Sequence, residues 1–205
     1  MKQEIEFIKF NPTQNMTILV KTNHPTEDYK QIATKMMSYD SVNAEQVGFI
    51  GKSLNNAADA YLKMAGGEFC GNACMSLATL IASEKGLHHD EHTEILLEVS
   101  GSDTLIMCQV RRNVNEHICQ LTMPIPKTIE KRTIKYGREE IDVVIVSFHE
   151  FVHIVIEVKR FSDKVREEAQ RLAKSFAAKL EANLIGILLY KSKSGELAPL
   201  IYVHI

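Results

Sequence analysis

The stretch Met64–Ala73, Met-Ala-Gly-Gly-Glu-Phe-Cys-Gly-Asn-Ala, places a nucleophile where local structure can act on it. A strand pattern ends at Met64, two glycines permit an unusual turn, and Cys70 directly precedes residues of helical periodicity. A helix start presents unpaired backbone N–H groups and a partial positive charge. A thiol there is expected to ionise below its free value of about 8.5. The N–H groups of Gly71 and Asn72 are suited to an anion such as a carboxylate. A thiolate beside a bound carboxylate stands ready to take the proton from the neighbouring carbon. The same pattern also fits a structural cysteine on a strand–helix turn, and these residues alone leave both readings open.

The other reactive side chains form weaker patterns. Cys74, Cys108 and Cys119 make no CxxC pair, and in a chain of this class they read as buried thiols rather than a disulfide framework. His88, His89 and His92, with Asp90 and Glu91 between them, follow a helix stop at Gly86 and read as a solvated loop rather than a metal site. His149 and His153 share one face of a strand pattern. No metal site is expected from these histidines. A formal net charge of −2 and the lack of a basic run argue against nucleic acid. No apolar stretch reaches bilayer length, and the N-terminus, with its acids and alternating pattern, does not read as a signal peptide. These features predict a soluble, cytoplasmic protein.

The elements that must position Cys70 follow from periodicity. Strand patterns lie near 3–9, 16–21, 45–50, 58–64, 93–100, 103–110, 116–123, 141–147, 151–158, 184–190 and 199–204. Ser100-Gly101-Ser102 reads as a hairpin-like connection. One helix near 26–38 is expected to start at Thr26. A second, from about 71 to 85, carries Cys74, Leu77, Ala78 and Ile81 at i, i+3, i+4, i+7, with Ala73 and Leu80 widening its apolar surface toward burial on most sides. A third, near 163–182, has Ser162 or Asp163 as its N-cap and a charged outer face. Pro124-Ile125-Pro126 marks a boundary, dividing the chain into 1–123 and 124–205. The order helix, strand, strand recurs in both halves. In the second half the sequence stops where a second cysteine and buried helix would follow.

Three segments together carry a family resemblance: Asn11-Pro12-Thr13-Gln14-Asn15-Met16-Thr17-Ile18-Leu19-Val20, Glu45-Gln46-Val47-Gly48-Phe49-Ile50 and Gly67-Glu68-Phe69-Cys70-Gly71-Asn72-Ala73. The chain resembles the diaminopimelate epimerase family, and within it the histidine racemases of metallophore biosynthesis. The resemblance implies an α+β fold, diaminopimelate epimerase-like, of two pseudo-repeated halves, each a curved β-sheet around a central helix, with the second half incomplete. It implies a cofactor-independent amino-acid racemase, without pyridoxal phosphate, that works with two thiols on opposite faces of the α-carbon. Cys70 is then catalytic, and Asn15, Glu45, Gln46, Gly71 and Asn72 bind substrate, with Glu45 facing an imidazole or amine. A homodimer is expected. The second cysteine of the family pattern, in a Cys-Gly-Ser-Gly-like segment, is not matched here. A catalytically inactive, truncated homologue that binds an amino acid or a partner chain is therefore the alternative.

Overall fold

The computed structural model describes residues 4–203 apart from 115, 137–138, 149–150 and 181–183, so His149 lies outside the described residues. The chain divides into two compact units, Met1–Pro124 and Ile125–Ile205.

In the first unit seven strands form one sheet in chain order: β1 (Phe7–Phe10), β2 (Thr17–Val20), β3 (Gln46–Gly51), β4 (Ala60–Met64), β5 (His92–Val99), β6 (Ile106–Arg112) and β7 (His117–Leu121). Two neighbouring pairs are parallel, β2/β3 and β4/β5, and each needs a crossover. Helix α1 (Tyr29–Met37) supplies the first and α2 (Gly71–Glu84) the second. They cover opposite faces. α1 sets Ile32, Ala33 and Met36 against Ile18, Val20, Val47 and Phe49. α2 sets Ala73, Cys74, Leu77, Ala78 and Ala82 against Leu19, Leu62, Ile95, Leu97, Ile106 and Val110. Every residue of β2 is consequently buried. α2 packs against all strands from β2 to β7, so the sheet curls around it. Its small residues allow that: Ala73, Cys74, Ala78 and Ala82 are fully enclosed. Gly86 N–H to Ser83 O and Leu87 N–H to Ala82 O, both 3.0 Å, close the helix.

The second unit is a five-stranded sheet in the order β12 (Glu196–Val203), β11 (Leu184–Lys191), β10 (Val152–Glu157), β9 (Glu139–Ser147), β8 (Thr128–Tyr136). The pair β10/β11 is parallel and is joined by α3 (Asp163–Leu180). Ala169, Leu172 and Ala173 of α3 cover Val143, Ile145, Ile154, Ile156, Ile185, Ile187 and Leu189. The cap is Ser162, whose Oγ accepts Val165 N–H at 3.3 Å. The run β9–β10–α3–β11–β12 repeats β1–β2–α1–β3–β4 in order and in strand direction. On the sheet face away from α3, half-buried Val144, Val155 and Leu188 stand side by side. α3 is the one helix among the described residues of this unit.

Two expectations need correction. The helix expected to start at Thr26 begins as a single 3-10 turn, Thr26–Asp28, after Pro25, and Thr26 makes no capping bond. β8 is absent from the strands expected by periodicity. Its Glu130, Lys131 and Arg132 mask the alternation, and such charges belong on β8 because it is the sheet's edge, paired among the described residues with β9 alone. No helix among the described residues is long and apolar enough to cross a membrane.

Leu77 sits at the centre of the α2 contact and is 1% exposed. Leu77→Ala is expected to cost about 2–5 kcal/mol, read as a lower urea midpoint in circular dichroism.

Candidate active site

Cys70 ends the turn between β4 and α2 and is the N-cap of α2, with extended backbone (φ −135°, ψ 106°). Its sulfur accepts the Ala73 N–H at 3.4 Å, the bond that a Ser or Asp oxygen makes at other helix starts. The residue is 8% exposed. The Ser100–Gly101 turn after β5 fixes the segment before it. Ser100 Oγ donates to Glu68 O at 2.9 Å and accepts Met64 N–H at 3.0 Å, while Ser100 N–H donates to Leu62 O at 2.9 Å. Gly101 has φ +75°, and a Cβ on it would lie 2.7 Å from the Glu68 carbonyl carbon and closer still to Phe69 N. Only glycine fits against that backbone.

The S–H of Cys70 donates to Gln46 Oε1 at 3.0 Å. Gln46 opens β3 and is in register with Thr17 of β2. Thr17, fully buried, has its Oγ1 3.3 Å from the same Gln46 oxygen and 3.1 Å from Asn15 O. A hydroxyl has one proton, so it serves these acceptors in turn. Asn15 follows the single turn Pro12–Gln14, and its N–H returns to Pro12 O at 2.9 Å. Its Oδ1 is buried without a hydrogen-bond partner. Asn15, Gln46 and Cys70 are thus linked through Thr17, a residue that sequence spacing does not single out. Gly71 and Asn72 form the first turn of α2, half-buried, and the Asn72 N–H is directed at the thiol. Glu45 is exposed; its N–H donates to Met16 O at 2.8 Å.

The expectation that the helix start lowers the Cys70 pKa is overturned. Burial pushes the thiol up to about 11, and the charge of Glu68 adds to that, while the N–H groups of Ala73 and Asn72 pull the other way. The resting thiol is protonated and directed at Gln46. The other cysteines are also free thiols. Cys74 and Cys108 are fully enclosed, and Cys119 is half-buried in β7. Burial raises the Cys74 thiol, and the hydrogen bond between Cys108 and Cys119 raises the first and lowers the second. In the loop after α2, His89 Nδ1 meets Asp90 at 2.9 Å and Glu91 accepts the His88 N–H at 2.8 Å. His153 packs against the rings of Phe148 and Phe151, and burial lowers its pKa.

Alkylation reports the state of Cys70, because the thiolate reacts and the thiol does not. With a pKa near 11, the thiolate fraction at pH 7 is on the order of 10⁻⁴. Iodoacetamide labelling of the Cys70 peptide, followed by mass spectrometry, is expected to accelerate with pH beyond 10; a plateau below pH 8 would contradict control by burial. Gly101→Ala is expected to cost more than about 1 kcal/mol, lowering the melting temperature and speeding Cys70 labelling as the turn loosens.

Both the sequence and the fold recur in other proteins. The chain is 32% identical over 212 residues to a histidine racemase of Staphylococcus aureus, covering 98% of this chain and 72% of that one. It is 28% identical over 205 residues to a histidine racemase of Fusobacterium nucleatum, at the same coverages. Among solved structures, it is similar to a probable proline racemase from Agrobacterium radiobacter, with TM-score 0.68, 11% identity, and 98% of this chain and 71% of that one covered. A hydroxyproline epimerase from Agrobacterium vitis matches with TM-score 0.65 and 11% identity, covering 97% of this chain and 70% of that one. These two likenesses establish an α+β epimerase-like fold. The family model of the histidine racemase CntK N-terminal domain matches residues 4–205, and the chain belongs to that family.

Proposed function

We propose that this chain racemises histidine by moving the α-proton through Cys70, with thiols rather than a cofactor as acid and base. The observation that carries the reading is the Cys70 thiol at the start of α2, protonated and hydrogen-bonded to Gln46. In one direction a base on the opposite face of Cα takes the α-proton, and the Cys70 S–H leaves Gln46 Oε1 and gives its proton to the resulting α-carbanion, so that one proton is removed and one delivered. The thiolate left behind accepts the N–H groups of Ala73 and Asn72 at the positive end of α2, an interaction worth roughly 0.3–2 kcal/mol for a charge near a helix end. In the other direction the same thiolate removes the α-proton. Asn15, Gln46, Gly71 and Asn72 hold the polar groups of the amino acid, and Glu45 takes the imidazole. The reading extends to a cytoplasmic homodimer that supplies D-histidine to metallophore synthesis. The edge strand β12, paired on one side only among the described residues, is a surface on which two copies can meet.

A second reading is a binder without turnover. Its motivation is the placing of the other cysteines: Cys74 faces the core of the first unit, and Cys108 and Cys119 lie in β6 and β7. Heavy water separates the two. Incubating the chain with L-histidine is expected to give deuterium at Cα and D-histidine on a chiral column, and Cys70→Ser is expected to abolish both. Exchange that survives in Cys70→Ser would remove Cys70 from the mechanism, and binding without exchange in the wild type would establish the second reading. Glu45→Gln is expected to weaken histidine binding about 1.5- to 5-fold, the equivalent of losing an exposed charge pair; an unchanged Kd by calorimetry would end that role.

A further inference from the structure

Glu68 is two residues before Cys70 and takes no part in the proton transfer itself. Its Oε2 is buried and has no hydrogen-bond partner. The carboxylate lies against Gly66, in space that a Cβ on that residue would fill. Its main chain is fixed by Ser100 and Gly101, so the side chain starts from a rigid point. Its charge acts on the Cys70 thiol. One other buried side-chain oxygen among the described residues also lacks a partner, Asn15 Oδ1, and Asn15 is joined to Cys70 through Thr17 and Gln46. Both orphans are acceptors; Glu68 is two residues from the thiol, and Asn15 is connected to it by that chain of bonds. Donors are already supplied on the other side of Cys70, at the start of α2.

From this we infer that Glu68 receives the α-ammonium group of the substrate, with Asn15 Oδ1 as a second acceptor, while the first turn of α2 takes the carboxylate. The assignment rests on reading the site as an amino-acid racemase centre. An ammonium group brings three N–H donors on one atom, which suits two acceptors from separate segments. A hard metal cation would need about six oxygens and fits poorly beside a protonated thiol. The assignment also links binding to chemistry. The ammonium charge cancels that of Glu68 at the thiol, removing one of the causes that hold the proton on sulfur.

The test compares L-histidine with 3-(imidazol-4-yl)propionate, which has the same ring and carboxylate but no ammonium, by calorimetry on the 205-residue chain. The wild type is expected to prefer histidine by at least tenfold. Glu68→Gln, which keeps the shape and removes the charge, is expected to shrink that preference to threefold or less while leaving the affinity for the propionate within twofold. Gly66→Ala is a second variant that leaves residue 68 itself a glutamate. Its Cβ meets only the far end of a flexible side chain at an exposed position, so the fold survives and the carboxylate is pushed aside. It is expected to reduce the preference in the same direction. A preference unchanged in both folded variants, or no preference in the wild type, overturns the assignment and leaves the racemase reading intact. A wild type that binds neither ligand overturns both.

Discussion

The sulfur of Cys70 is at once the cap of α2, a donor to Gln46 and a buried group, and these three demands conflict. As a cap it accepts the Ala73 N–H, and that bond and the helix dipole favour a thiolate. Burial favours the neutral thiol, and burial prevails: raising the thiol to about 11 makes its ionisation costlier than that of a free thiol by roughly 3 kcal/mol. The curl of the first sheet around α2 is what encloses the sulfur, since β2 to β7 all pack on that helix. Burial by the core thus sets the protonation state, and the chemistry follows from it. In the proposed racemisation, a thiol that rests protonated serves as the acid that meets the carbanion.

Geometry at the thiol depends in turn on residues distant in sequence. Gln46 comes from β3, Thr17 from β2, and the Ser100–Gly101 turn from the end of β5. The parallel pairs β2/β3 and β4/β5 bring these strand ends together, because a parallel pair aligns the same ends of both strands while its crossover helix lies over a face. The second unit has the same arrangement in β10/β11 with α3 as crossover. In the first unit the opposite sheet face is filled by α2; in the second, the equivalent face presents Val144, Val155 and Leu188, each half-buried.

Much of this is legible in the residues. The glycines before Cys70 and the apolar spacing of residues 73–81 locate α2 and its cap, since both signals are local. Charge along an edge strand hides β8, where three successive charged residues leave no alternation to read. Thr17 reads as one more β-branched residue in a strand, and its bonds to Gln46 and Asn15 exist only once β2 and β3 are in register. Ser100-Gly101 reads as an ordinary turn until Glu68 and Phe69 are packed against it. The direction of the Cys70 pKa is hidden for the same reason. A helix start is visible locally, whereas desolvation depends on everything that folds over it.

Glu68 raises the question of why such a residue is tolerated. A buried acceptor without a partner costs about 1–3 kcal/mol, and more when it is charged. A glutamine there would remove the charge, and an alanine would remove the orphan oxygen as well, so stability alone gives no reason for the carboxylate. Its neighbours make room for it: Gly66 has no side chain to displace it, and Ser100 holds its backbone. The apparent loss is recovered when a cation enters, because the orphan oxygen then gains its donor and the thiol loses a negative neighbour in one event. On that account the unliganded site carries the cost, and the bound amino acid releases it at the atom that must give up its proton.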